Sequence, residues 1–150
     1  MLEELFSKEN IFVDIEGDDF QTVLKNVTNK LEKEDFVKQS FYENVLKREA
    51  EFPTGLEFPS YNIAIPHTDS IHVNKQAIVV IKPKNKVVFK DMATNSKDLD
   101  VKVILLLLIS KNENQVTVLQ NIIKKFANEE LYNKLLLENS NEEIYNLISK

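Results

Sequence analysis

A continuous apolar run from Val103 to Ile109 constrains the fold of this chain more than any other stretch of its sequence. It is far shorter than the roughly 20 apolar residues that a membrane-spanning helix needs, and its length is typical of a strand. Successive strand side chains point to opposite faces of a sheet, so an uninterrupted apolar strand is buried on both faces. With its flanks, residues 101–110, the run predicts the central strand of a sheet that is covered on both sides.

Helical patterns elsewhere in the chain can supply the two covering layers. The clearest stripe consists of Phe20, Val23, Leu24, Val27 and Leu31, which repeat at helical spacing. The pair Gly17-Asp18 precedes it as a turn and N-cap. Further helices are predicted over residues 37–50, after Asn114, over residues 129–137 and over residues 141–149; further strands are predicted over residues 11–15, 63–65, 76–82 and 87–89.

Strands therefore alternate with helices, which predicts a three-layer α/β/α sandwich formed by one domain over residues 1–150. Residues 76–82 and 87–89 are joined too tightly for a crossover connection, so the sheet is predicted to be mixed. Two segments are expected to be loops. Residues 52–59 contain two prolines and a glycine, and residues 91–100 are polar.

The composition excludes several classes of function. A formal charge of −5 and a pI near 5.2, without a basic patch, argue against nucleic-acid binding. The two glycines are too few and too far apart for a nucleotide-binding loop or a G-x-S-x-G hydrolase elbow. The chain has no cysteine, and its N-terminus lacks the features of a signal peptide. These features fit a cytoplasmic protein.

The segment that ends in His67 carries the most suggestive chemistry. Ile63-Ala64-Ile65 predicts a short buried strand, and Pro66 ends it because proline has no N–H group for a sheet. His67 follows at once, where its side chain can face a cleft while the backbone is anchored. An imidazole in such a place can be a nucleophile, a general base or a metal ligand, or it can be a packed structural histidine.

The string His67-x-Asp69-x-x-His72 raises the possibility of a metal site, because imidazole and carboxylate are suitable ligands. Its spacing matches no common helical zinc pattern, and the chain offers no cysteine or third histidine to complete a ligand shell. We therefore predict no metal. A metal-dependent hydrolase that uses these three residues is kept as an alternative.

Arg48 is the single arginine beside eighteen lysines. A guanidinium group offers a planar, permanently charged fork for phosphate or carboxylate that an ammonium group cannot copy. Arg48 therefore either marks an anion site where lysine would not serve or is an ordinary surface cation near the end of a helix.

Two stretches together resemble a known family. Arg-Glu-Ala-Glu-Phe-Pro-Thr-Gly at residues 48–55 and Ile-Ala-Ile-Pro-His at residues 63–67 are similar to the IIA components of the bacterial phosphoenolpyruvate-dependent sugar phosphotransferase system, in the fructose–mannitol superfamily. Ser-Ile-His at residues 70–72 and Lys-Pro-Lys-Asn-Lys-Val-Val-Phe at residues 82–89 make the chain most similar to the galactitol branch. The resemblance runs over nearly the whole chain.

The resemblance implies a mannitol-IIA-like fold and a definite role for the chain. His67 matches the histidine that accepts a phosphoryl group from the phosphocarrier HPr and passes it to a cysteine of the IIB component, which phosphorylates the sugar taken up by the membrane component IIC. Arg48 matches the arginine that would neutralise the phosphoryl charge. Glu49 and Thr54 belong to the same motif and are expected to shape the site. No metal, nucleotide or other cofactor is implied.

The chain departs from the mannitol branch, where a second histidine after the long apolar strand helps to shape the site. The matching stretch, residues 111–119, contains Gln115 and no histidine. Either Gln115 supplies a hydrogen bond instead, or His72 takes this part from another direction, or His72 is a surface residue.

A second class of function stays open beside transport. The chain could be a regulatory interaction module with the same fold that does not feed a transporter. Neither the resemblance nor the residue pattern identifies the sugar, because specificity is expected to lie mainly in IIC.

Overall fold

A computed structural model describes residues 2–150, in which the first strand is followed by two α-helices, then six strands and then three α-helices, so strands and helices do not alternate one by one as predicted. The strands are β1 (Ile11–Ile15), β2 (Gly55–Glu57), β3 (Asn62–Ala64), β4 (Ala77–Pro83), β5 (Val87–Lys90), β6 (Asp98–Val101) and β7 (Ile104–Leu108). The α-helices are α1 (Phe20–Lys33), α2 (Phe41–Glu51), α3 (Gln115–Phe126), α4 (Glu129–Leu137) and α5 (Asn141–Ile148). Short 3-10 helices occur at Leu2–Leu5, Lys8–Asn10, Ser70–His72 and Asn112–Asn114.

The central sheet has five strands in the order β1-β4-β7-β3-β2. The pairs β1–β4 and β3–β7 are parallel, whereas β4–β7 and β2–β3 are antiparallel. The sheet is therefore mixed, and β7 occupies its centre, as its uninterrupted apolar sequence predicts. Every residue of β7 is buried.

The two faces of the sheet pack against different layers. Val79 and Leu106 belong to a core that includes the apolar stripes of α1 and α2 and the inner residues of β5 and β6. Val80 and Leu105 belong to a second core, built with α3, α4 and α5. Alternate residues of the same strands thus serve opposite faces, as strand geometry requires. The three-layer α/β/α prediction is confirmed, and none of the helices within residues 2–150 is long and apolar enough to span a membrane.

The strands predicted at residues 76–82 and 87–89, whose tight connection was the ground for predicting a mixed sheet, do not pair with each other. β5 pairs instead with β6, and these two strands form a separate antiparallel hairpin. β6 lies in the segment that was expected to be a loop, where Leu99 and Val101 are buried and the two aspartates between and before them are exposed. The alternation of exposed and buried residues over these four positions is typical of a strand, but it is too short to stand out in a polar segment.

Three element boundaries also differ from the prediction. The second helix begins at Phe41 and not near Val37, because Val37 forms an isolated bridge with Val73. The N-cap of α1 is Asp19, whose side chain accepts a 2.9 Å hydrogen bond from the Thr22 N–H group. The proline-rich loop contains the short edge strand β2, which pairs with β3.

Gly55, the first residue of β2, is expected to tolerate no side chain. A Cβ atom there would meet the Lys90 carbonyl oxygen at 2.5 Å, and the Met92 N–H group donates to the Gly55 carbonyl at 2.8 Å. Because the obstacle is backbone, Gly55→Ala should lower the free energy of unfolding by about 1–3 kcal/mol, measured by urea denaturation. Unchanged stability would contradict this close approach.

Candidate functional site

The backbone that leads to His67 is held by the central sheet and by the loop before β2. Ala64 is paired with Ile104 of β7. The Ile65 N–H group donates to the Thr54 carbonyl at 3.2 Å, and the Pro66 carbonyl accepts from the Leu107 N–H group at 3.0 Å. His67 therefore lies one residue beyond a fixed anchor, at the end of β3 beside the central strand.

The orientation of the His67 ring determines which nitrogen can react. Nδ1 lies 2.9 Å from the Ile65 carbonyl oxygen, and the side chain is only 8% exposed. A carbonyl oxygen can only accept a hydrogen bond, so Nδ1 must carry the proton. In the neutral ring Nε2 then holds the free lone pair, and it is the nucleophilic or ligating nitrogen.

The surroundings of His67 favour its neutral form. Burial is the largest influence and lowers the His67 pKa below its ordinary value of 6.5. The Arg48 charge also lowers this pKa, while the Ile65 carbonyl and Asp69 oppose the shift. The lowered pKa favours the uncharged ring, with its free lone pair, at neutral pH.

This pKa shift predicts a pH dependence of stability. At pH values between the pKa of His67 in the folded chain and 6.5, the unfolded chain binds more protons at His67 than the folded chain does. The free energy of unfolding should therefore fall as the pH drops through that range. The His67→Gln variant should lack this part of the loss, measured by urea denaturation at about pH 7.5 and pH 5. In an NMR titration His67 should protonate below pH 6.5. A His67 midpoint above 6.5 would contradict the prediction.

Arg48 lies in the last turn of α2, and its charge acts on the His67 pKa. Its guanidinium carbon lies 4.8 Å from the centroid of the Phe52 ring. Within the described residues its Nε is buried and has no hydrogen-bond partner. An unpaired buried donor costs about 1–3 kcal/mol, which an anion bound beside it would offset. The arrangement is therefore suited to an anionic group next to His67.

Glu49, the residue after Arg48, is hydrogen-bonded to Thr54. The Glu49 carboxylate accepts the Thr54 N–H group at 2.8 Å and the Thr54 hydroxyl at 2.6 Å. Thr54 is buried and its carbonyl receives the Ile65 N–H group. Burial raises the Glu49 pKa, although both Thr54 hydrogen bonds act in the opposite direction.

His72 and Gln115 hold the segment that follows His67 from two different sides. His72 Nδ1 lies 2.7 Å from the Ser40 hydroxyl, immediately before α2. Gln115, the first residue of α3, donates from Nε2 to the Thr68 carbonyl at 3.2 Å. Among the hydrogen bonds of the described residues, these two side chains bond to Ser40 and to the Thr68 backbone, whereas the His67 ring bonds to the Ile65 carbonyl.

Phe52 and Ser40 were not singled out from the sequence. Phe52 was assigned to a loop, although its position four residues after Arg48 at a helix end allows the ring to pack on the guanidinium group. Ser40 pairs with a histidine 32 residues away, and no local pattern indicates such a contact. For the metal alternative, no cluster of three or more His, Cys, Asp or Glu side chains that could hold an ion occurs in the described part of the chain.

Comparison with known proteins assigns the chain to a family. The family model described as phosphoenolpyruvate-dependent sugar phosphotransferase system, EIIA 2, matches residues 4–150. The galactitol-specific EIIA component of the phosphotransferase system from Escherichia coli K12 is 30% identical over 118 residues, which are 79% of this chain and 78% of that protein.

Two solved structures have the same fold. One is the complex of mannitol enzyme IIA with phosphorylated enzyme IIB from Escherichia coli, with a TM-score of 0.77, 19% identity and 96% coverage of both chains. The other is the nitrogen regulatory protein IIA-Ntr from Neisseria meningitidis, with a TM-score of 0.73, 23% identity and 98% coverage of both chains. The chain belongs to the EIIA 2 family of the phosphoenolpyruvate-dependent sugar phosphotransferase system.

Proposed function

We propose that this chain is a cytoplasmic phosphoryl carrier that accepts a phosphoryl group from HPr on Nε2 of His67. It then passes the group to a cysteine of a IIB component, which phosphorylates the sugar taken up through IIC. The observation that carries the proposal is the hydrogen bond between His67 Nδ1 and the Ile65 carbonyl, because it leaves Nε2 as the free nucleophile. Family membership supplies the donor and the acceptor.

The transfer needs little more than position and charge. As the bond between Nε2 and phosphorus forms, the bond between phosphorus and the donor breaks, and the Nδ1 proton stays in place. The Ile65 carbonyl stabilises the positive charge that develops on the ring, and Arg48 neutralises charge on the phosphoryl oxygens. A guanidinium group can offer these oxygens charged N–H donors in a fixed, planar arrangement.

Galactitol, or a related sugar alcohol, is the substrate that we propose for the whole transport system. The support is the 30% identity to the galactitol-specific component of Escherichia coli. The regulatory alternative has only the shared fold with IIA-Ntr at 23% identity behind it, and a fold by itself does not carry function.

The proposal is tested by phosphorylation of the purified chain. We expect incubation with phosphoenolpyruvate, enzyme I and HPr to add one acid-labile phosphoryl group per chain. Phosphorus and nitrogen NMR should locate it on Nε2 of His67, and a galactitol-type IIB should remove it. No uptake, or uptake on Nδ1, would overturn the proposal. A phosphorylated chain that cannot pass its phosphoryl group to a galactitol-type IIB would contradict the proposal that galactitol is the substrate.

A further inference from the structure

Helix α2, which carries Arg48, is attached at both ends to the segment that carries His67. At its C-terminal end Glu49 receives two hydrogen bonds from Thr54. At its N-terminal end Ser40 pairs with His72. The relative position of the arginine and the histidine therefore depends on one local and one long-range side-chain contact, at the two ends of α2, and not on a single secondary-structure element.

The Glu49 contact continues directly to the His67 ring. Thr54 uses its N–H and hydroxyl groups for the Glu49 carboxylate and its carbonyl for the Ile65 N–H group. Ile65 in turn uses its carbonyl for Nδ1 of His67. A displacement of Thr54 would thus move the acceptor that determines which ring nitrogen carries the proton.

Glu49 is an unusual choice if stability alone mattered at this position. The carboxylate is half-buried, and within residues 2–150 no ion pair to it is found. Burial raises its pKa, so the charged form is disfavoured by its surroundings. A neutral side chain of the same shape would avoid this desolvation. Residues that reduce stability while ordering a site are typical of functional sites.

We propose that Glu49 is a positioning residue, whose carboxylate holds Thr54 so that Arg48 and Nε2 of His67 are aligned on the same phosphoryl group. The inference rests on the proposed phosphoryl transfer and adds to it a defined role for the Glu49–Thr54 pair. An amide at residue 49 could still accept from the Thr54 N–H group, but its nitrogen would have to donate to the Thr54 hydroxyl, so the second hydrogen bond would be reversed and would lose its charged acceptor.

Two substitutions and one control test the positioning role. Glu49→Gln replaces the carboxylate of the pair and Thr54→Val removes its hydroxyl, while Glu51→Gln removes the same charge from an exposed residue at the same helix end. We expect the first two variants to lower kcat for phosphoryl uptake about ten- to a hundredfold with little change in KM for phospho-HPr, since misplacement slows chemistry and not docking. Thr54→Ser should restore the rate, and Glu51→Gln should match the unaltered chain.

Thermal denaturation separates positioning from simple structural support. If Glu49 acts by positioning, Glu49→Gln should unfold at the same or a higher temperature while its kcat falls. A lower kcat that merely follows a lower unfolding temperature would overturn the proposal. So would a wild-type kcat in both Glu49→Gln and Thr54→Val, or an effect confined to KM.

Nitrogen NMR of the unphosphorylated chain gives a readout that does not depend on the proposed function. The chain has one arginine and two histidines, so the Arg48 Nε signal is unique and the imidazole signals are readily assigned. We expect His67 to be protonated on Nδ1 in the unaltered chain and to become a mixture of tautomers in Glu49→Gln. An unchanged tautomer and an unchanged Arg48 signal would overturn the positioning role. Absence of phosphorylation in the unaltered chain would instead refute the carrier function.

Discussion

His67→Gln is expected to abolish phosphoryl uptake from phospho-HPr while the chain keeps its fold. Glutamine has no nucleophilic nitrogen, because its amide lone pair is delocalised. Its amide can still donate a hydrogen bond to the Ile65 carbonyl, which accepts from Nδ1 of His67 in the unaltered chain. The rate of phosphoryl uptake should fall more than about a thousandfold, which is typical when a covalent nucleophile is removed. The measurement is incorporation of labelled phosphate from phosphoenolpyruvate in the presence of enzyme I and HPr.

The second histidine provides the matched control for this experiment. His72→Gln removes the other imidazole of the chain, whose Nδ1 is paired with Ser40. We expect this variant to incorporate one phosphoryl group per chain, at a rate reduced by no more than about tenfold, because only a contact that supports the site is altered. Label in the His67→Gln chain, or its complete loss in the His72→Gln chain, would contradict the assignment of His67 as the acceptor.

Arg48→Lys is expected to slow transfer by about a hundred- to a thousandfold, in spite of the retained positive charge. Lysine lacks both the Nε donor, which is buried and unpaired, and the planar group that lies over the Phe52 ring. A point charge on a flexible stem can neutralise a phosphoryl group but cannot hold it in a fixed orientation. Single-turnover transfer from phospho-HPr measures the rate, and circular dichroism checks the fold.

A neighbouring cation controls for the general effect of charge. Lys47 precedes Arg48 on the same helix turn and is exposed. Lys47→Gln removes a full positive charge and should change the single-turnover rate less than about threefold, because exposed charges are screened by solvent. Equal rates for Arg48→Lys and the unaltered chain would remove Arg48 from the transfer step. A large effect of Lys47→Gln would point to the overall charge of the helix in its place.

Much of the fold follows from local sequence patterns. The uninterrupted apolar run of β7 predicted a central strand with two covered faces, and the stripe from Phe20 to Leu31 predicted the inner face of α1. Both signals depend on the periodicity of one segment and on its burial, so they can be detected without knowledge of the partners. The segment order Ile65-Pro66-His67 likewise located the strand end from which His67 leaves the sheet.

The pairing of the strands could not be predicted from local sequence patterns. The sequence located β5 but did not identify its partner, and the partner strand β6 lies in a segment whose polar composition predicted a loop. A strand that covers one face with two side chains has too short a pattern to stand out among polar residues. The partner of such a strand is decided by how both strands pack against the rest of the protein, and a local sequence pattern does not contain that information.

The sequence by itself therefore determined the layer architecture, the family and the two residues proposed to carry and neutralise the phosphoryl group. Only the tertiary structure decided how those residues are oriented. The contact between Nδ1 of His67 and the Ile65 carbonyl and the contact between Glu49 and Thr54 each join two atoms that lie within about 3 Å of one another. The physical reason is that burial and periodicity are properties of one segment, whereas a hydrogen bond requires the positions of two segments at once.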